Sequence, residues 1–153
     1  MTAYTDSLGF DKGSAALPVN SGLHRLSLVS VEMDFADIVA ARSAAGVAAL
    51  VATDTLQVIP LPAKCVVLAG GIDVTSAETT NTTATFDLGF TGGSPAAANA
   101  YGNDIASNAV AFTGTDLANP TIVTAADTVD LLLNTAVPTD AVIRCWVLVA
   151  DCS

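Results

Sequence analysis

Residues 54–90 read DTLQVIPLPAKCVVLAGGIDVTSAETTNTTATFDLGF, and this stretch decides the fold class. It holds three extended segments separated by two turn signals, with few charges between them. Residues 56–61 form an apolar-rich run closed by Pro60 and Pro62. Residues 64–74 form a longer β-branched run, and residues 82–88 set Thr83, Thr85 and Asp87 against Ala84, Phe86 and Leu88. Alternation with period two, carried by Val, Ile, Thr and Phe, is the mark of β-strands. A ladder cannot use the missing N–H of proline, so the run at 56–61 is expected at a sheet edge or sharply bent near Pro60. Residues 65–69 are apolar on both faces, which predicts a central strand covered on both sides. Gly70 and Gly71 would then provide a bulge or twist before Ile72 and Val74 rejoin the sheet.

Working outward, residues 23–35 (LHRLSLVSVEMDF) alternate as well and read as the first strand. Leu26, Leu28, Ser30 and Glu32 fall on one face, and Arg25, Ser27, Val29, Val31 and Met33 on the other. The Ala-rich stretch from 36 to 53 loses this period, and a short helix is expected from Asp37 to about Ala45. Residues 91–103 (TGGSPAAANAYGN) carry the small residues, glycines and proline of a loop. Residues 104–110 are expected to form a second short helix with Asp104 as its N-cap. Three more extended runs follow at 121–124, 128–133 and 141–151, the last placing Trp146 in the middle of a sheet. Short strands spaced about ten residues apart point to a sandwich or barrel. The expectation is an all-β, jelly-roll-like antiparallel β-sandwich with one or two short helices, spanning 23–153. Residues 1–22 are turn-rich but hold Leu8, Phe10, Leu17 and Val19, and are expected to form an extended N-terminal arm that orders on a neighbouring subunit. Simple disorder is the alternative.

Composition restricts function. The chain is 52% hydrophobic and only 13% charged, which raises the question of a membrane. The apolar run at 44–52 is far shorter than the roughly 20 residues a spanning helix needs. The opening residues MTAYTDSLGF have neither a basic region nor an apolar core, so no signal peptide is expected. A chain this apolar is expected to hide surface in an assembly. Fifteen acids against five bases give a net charge of −10. Binding to nucleic acid needs clustered Lys and Arg, whereas Lys12, Arg25, Arg42, Lys64 and Arg144 are scattered. Neither nucleic acid nor membrane is expected as a partner.

The residues that carry chemistry are sparse. His24 is the single histidine, no GxSxG is present, and Ser27 and Ser30 share its short strand, so a serine triad is not expected. Cys65, Cys145 and Cys152 have no CxxC spacing; they read as free thiols in a reducing compartment, with one disulfide from Cys65 to Cys145 or Cys152 left open. Asp34 with Asp37 and Asp127 with Asp130 lack the spacing of a calcium loop, and solvated turn acids are the plainer reading. Gly70–Gly71 and Gly92–Gly93 precede no GK[ST] signature and read as turn glycines. No enzymatic activity, cofactor or metal is expected.

The segments 54–63, 66–75, 83–89, 103–106 (NDIA) and 142–149 together resemble a pattern found in small structural proteins of tailed bacteriophages. These are the auxiliary head proteins, also called cement or decoration proteins. Lys64 departs from the glycine that the pattern carries after Pro-Ala. The resemblance implies a homotrimer on the capsid exterior that clamps neighbouring major capsid proteins and is assembled in the host cytoplasm. Within that reading, Phe10 and Leu17 of the arm, Arg42, and Gly92 and Tyr101 of the 92–101 loop are the candidate contact residues. A receptor- or glycan-binding module of a phage tail or fibre is the alternative, with Tyr4 and Tyr101 as its aromatic candidates.

Overall fold

The computed structural model describes residues 25–91, 97–114 and 120–151. Nine strands and one helix lie among them: β1 (Arg25–Asp34), α1 (Phe35–Ala44), β2 (Thr55–Leu61), β3 (Cys65–Ser76), β4 (Thr85–Phe90), β5 (Ala97–Ala106), β6 (Ala111–Phe112), β7 (Thr121–Val123), β8 (Asp127–Asn134) and β9 (Val142–Asp151). The described chain is an all-β sandwich of two antiparallel sheets. One sheet has the order β1-β9-β3-β6, with β7 also pairing β3; the other has the order β2-β8-β4-β5. The first strand thus lies beside the last, and the second beside the eighth. The expected arm over residues 1–22, with Phe10 and Leu17, lies outside the described residues.

Alternation builds the core between the sheets. From the five-stranded sheet, Val29, Val67, Ile72, Ile143, Cys145 and Val147 point inward and are fully buried. The facing sheet contributes Ile59, Phe86, Leu88, Val129, Leu131 and Leu133, also fully buried. Phe35, at the start of α1, stacks on Phe86 with ring centroids 5.6 Å apart, closing one end of the sandwich. Fully burying side chains of this size is worth roughly 1.5–3 kcal/mol each, so this interlayer packing is the main support of the fold.

The opening stretch forms strands where expected. β2 is an edge strand, and exposed Pro60 sits in it at no cost to a ladder. β3 is central, but its first half alternates buried Cys65 and Val67 with half-buried Val66 and Leu68. The doubly covered part runs instead from Ala69 to Val74. Register shifts fall between Val67 and Ala69 and between Val74 and Ser76, not at the glycine pair. Gly70 and Gly71 serve close approach. A Cβ on Gly71 would lie 2.0 Å from the carbonyl oxygen of Thr113, and one on Gly70 would lie 2.9 Å from the Tyr101 ring.

The helix begins two residues earlier than the sequence suggested, because Asp34 caps it. Its carboxylate accepts the Ala36 N–H at 2.9 Å and the Asp37 N–H at 3.3 Å. Gly46, in the left-handed region at φ +65°, follows the helix, and the N–H of Val47 returns to the Arg42 carbonyl.

Two expectations are overturned. Residues 97–103 are not loop: they belong to β5, which pairs with β4. Residues 104–110 form no helix. Asp104 lies inside β5 with φ +50°, and its N–H donates to the Asp87 carboxylate at 2.7 Å. The edge of β4 and the burial of Tyr101 recruit this stretch into the sheet, although its Ala, Asn and Gly content disfavours strand.

Candidate contact surfaces

The register of the five-stranded sheet lays the outward side chains in four lateral rows. In the first, Leu26 on β1 pairs with Ala150 on β9, Ala150 with Val66 on β3, and Val66 with Ile122 on β7. In the second, Leu28 pairs with Leu148, and Leu148 lies opposite Ala69 beside the bulge at Leu68. The third holds Ser30, Trp146 and Gly71, and the fourth holds Glu32, Arg144, Asp73 and Phe112. Leu26, Leu28, Ile122 and Phe112 are between 61% and 73% exposed. An outward face with two wholly apolar rows is unusual for a sheet that meets only water.

The other two rows are tied together by one carboxylate. Asp73 accepts from Arg144 Nη2 at 2.7 Å and Nε at 3.1 Å, and from Trp146 Nε1 at 3.2 Å. These three residues, with Leu28 and Ser30, line a shallow concavity of about 290 Å³. Trp146 lies on the central strand β9, as the sequence suggested, but its ring sits on the outer face and not in the core. Gly114 makes room for it: a Cβ there would come 2.7 Å from the indole. Behind the cluster, Cys145 points into the core, where burial, with a smaller contribution from Asp73, pushes its thiol up to about 12.

A second surface surrounds α1. Arg42, a candidate contact residue, donates from Nη2 and Nε to the Ala48 carbonyl at 2.6 and 3.0 Å. With Val39, Val47, Leu50, Val137 and Thr139 it lines a mainly apolar groove of about 400 Å³. Tyr101 is not among the residues that line this groove. Tyr101 is itself only 3% exposed: it sits between the sheets, edge-on to Phe90 at 5.8 Å, and burial pushes its hydroxyl up to about 12. It is a core residue and not a loop contact. Gly92, with Phe10 and Leu17, lies outside the described residues.

The acids are used to fix turns. Asp130, 4% exposed, accepts from Thr128 Oγ1 at 2.6 Å and from both the N–H and hydroxyl of Thr91. Asp127 accepts the N–H of Thr128 at 2.8 Å. Sequence reasoning passed over Glu78, the most heavily bonded acid among the described residues. Its carboxylate accepts the N–H groups of Thr80, Asn81, Thr139, Asp140 and Ala141 and the hydroxyl of Thr139. Burial pushes its pKa up, but hydrogen bonds from Asn81, Asp140 and Thr139 outweigh that and hold it well below the usual carboxylate range. A sequence signal existed in the cluster SAETTN, since polar turn residues around one acid invite such a nest.

Among the described residues no group of three or more His, Cys, Asp or Glu side chains could hold a metal ion, and no helix is long and apolar enough to cross a membrane. The open disulfide is settled for one partner. β9 puts Cys145 opposite Ile72, whereas Cys65 lies opposite Asp151. Six residues of strand separate the two positions by about 20 Å, beyond disulfide reach.

No family model matches this sequence, and no curated protein does. Solved structures do match in fold. A chain in the capsid asymmetric unit of cyanophage Pam1 superposes with a TM-score of 0.60 at 17% identity, covering 99% of each chain. A chain in the acidic stable capsid structure of Helicobacter pylori bacteriophage KHP30 gives a TM-score of 0.56 at 15% identity, covering 86% of this chain and 92% of that one. At these identities the likeness is one of fold.

Proposed function

We propose that this chain is a structural protein of a bacteriophage virion, a cement or decoration protein that binds the outside of the capsid and stabilises contacts between major capsid proteins. The observation that carries the proposal is the end-to-end fold likeness to a chain of the Pam1 capsid asymmetric unit, over 99% of both chains. The likeness to the KHP30 capsid chain supports the same reading. The strand order, with β1 beside β9 and β2 beside β8, supports a jelly roll. A protein that fastens a shell needs rigid surfaces more than a reactive cleft. The apolar rows of the five-stranded sheet and the groove beside Arg42 are such surfaces. Arg42, with Phe10, Leu17 and Gly92 on segments 1–22 and 92–96, makes the capsid contacts in this proposal, and the chain acts as a homotrimer. Each copy contributes one interface, and repetition over the lattice multiplies the gain.

The test uses heads that lack the chain. Adding the purified protein is expected to raise the temperature at which heads release DNA, with saturable binding to the outer surface. Heads that rupture at the same temperature with and without bound protein would overturn the proposal.

A further inference from the structure

We infer that residues 135–141, between β8 and β9, form a strap that leaves the sandwich as a unit while both sheets stay intact, and that the carboxylates of Glu78 and Asp140 hold it shut. The strap is independent of the proposed function; its consequence for capsid binding rests on that reading.

The fastening is reciprocal. Glu78, in the β3–β4 connection, accepts the N–H groups of Thr139, Asp140 and Ala141 at 2.7, 3.0 and 3.2 Å. Asp140 returns the contact from the strap: its carboxylate accepts the Thr79 N–H at 2.9 Å and the Thr79 hydroxyl. The Asn81 amide adds a bond to the Val137 carbonyl at 2.7 Å. Backbone pairing contributes little. Among the described residues, the strap's own backbone bonds run from the Ala136 N–H to the adjacent Asn134 carbonyl and, at the far end, from the Phe35 N–H to the Ala141 carbonyl. Between those points its ties run through the side chains of Glu78, Asn81, Thr139 and Asp140. The flanking strands are held differently, since β8 is laddered to β2 and β4, and β9 to β1 and β3. A side-chain-fastened segment between two such strands can open at a cost below that of global unfolding.

Strain and packing suit the same device. Thr135, at the start of the strap, sits at φ +59°, a left-handed conformation that a β-branched residue adopts only when its surroundings impose it. Opening relieves that strain. Val137 packs against the core and Pro138 is buried, which makes closed the resting state. Val137 and Thr139 also line the groove beside Arg42, so an open strap removes one wall of it.

Acid is the trigger that this chemistry provides. Of the residues bonded to Glu78, Asp140 alone is charged; Thr80, Asn81, Thr139 and Ala141 are neutral, as is Ser107, which accepts the Glu78 N–H. Burial raises the Glu78 pKa, but these hydrogen bonds outweigh it and hold the carboxyl well below its usual range while the strap is closed. Opening returns it to the ordinary glutamate value. The clasp is therefore complete above about pH 4.3 and weakens as pH falls from there.

The test is native-state hydrogen exchange of the whole chain at pH 7, read amide by amide in rising urea. In the wild type, the amides of Thr139, Asp140 and Ala141 should exchange through an opening that urea scarcely accelerates, while those of Leu131 and Cys145 follow global unfolding. Strap amides that exchange only together with the sheet amides would overturn the inference. Glu78→Gln should speed strap exchange at least tenfold, with the sheet amides remaining the slower set, and Asp140→Ala should act in the same direction to a smaller degree. Strap exchange unchanged in these folded variants would equally overturn it. Measured against the rates of unstructured peptides, strap protection in the wild type should fall at least tenfold from pH 5 to pH 3, and less in Glu78→Gln. Binding to heads separates the two claims. Exchange confined to the strap, with no binding of the wild type to heads, supports the strap and sinks the proposed function. Saturable binding by a chain whose strap exchanges only with its sheets does the reverse.

Discussion

The carboxylate of Glu78 accepts the backbone N–H of Thr139 at 2.7 Å, joining two turns that lie 61 residues apart in the chain. Together with the bonds from Asp140 and Ala141, this contact pins the β3–β4 connection to the segment that leads into β9. Replacing Glu78 by Gln removes the charge and puts an amide donor among N–H donors. The variant is expected to lose on the order of 3 kcal/mol of stability, measured by urea unfolding at pH 7.

The same residue sets a dependence on acid. Its folded-state pKa lies below the unfolded value, so the unfolded chain takes up the proton first. Its contribution is complete above about pH 4.3, the ordinary glutamate value, and declines as pH falls from there toward the folded value. Wild type and Glu78→Gln should therefore converge in thermal midpoint as pH drops from 6 toward 2. Parallel curves across that range would contradict the assignment.

Gly71 and Gly46 make a contrasting pair. A Cβ on Gly71 meets the Thr113 carbonyl and the Gly114 Cα, both backbone, so the overlap is relieved only by moving the chain. Gly71→Ala is expected to cost about 2–3 kcal/mol. Gly46 faces open space and is strained only by its φ of +65°, so Gly46→Ala should cost about 1 kcal/mol. Denaturation midpoints of the two variants give the order directly.

Trp146 is the single tryptophan, so its emission reports on the centre of the outer face alone. Asp73→Ala removes the acceptor of its indole N–H and frees Arg144 to move into water. A red-shifted emission is expected, with a stability loss of only about 1 kcal/mol, because Arg144 is solvated where it stands.

Cys145 is fully buried, and its thiol is pushed up to about 12. Peptide mapping after treatment with a thiol reagent at pH 8 should find it unmodified in the folded protein and modified in urea. Labelling in the native state would show that this part of the core opens readily.

Much of the fold could be read from residues whose two faces differ. Phe86 and Leu88 against Thr85 and Asp87, or Val29 and Val31 against Leu28 and Ser30, carry their own register. Pro60 marked its edge. β5 was hidden because its strand character is imposed from outside: Tyr101 fits over Gly70 and beside Phe90, and no local pattern announces that. The same absence of local pattern made Tyr101 look like a loop aromatic. The contact face was half visible. Leu26, Leu28, Ser30 and Glu32 grouped correctly on one side of β1, and β9 is apolar on both sides apart from Arg144. That this side faces outward depends on which face packs on the second sheet, which only the tertiary pairing decides. Glu78 was hidden for a related reason, since three of its N–H donors come from the segment that precedes β9.

The placement of the chain on a particle is the most direct test. Cryo-electron microscopy of virions that carry it should find its sandwich on the outer surface of the head, bridging adjacent major capsid proteins at repeated lattice positions. Density for the chain confined to the tail or to the interior of the shell would contradict a role as a capsid fastener.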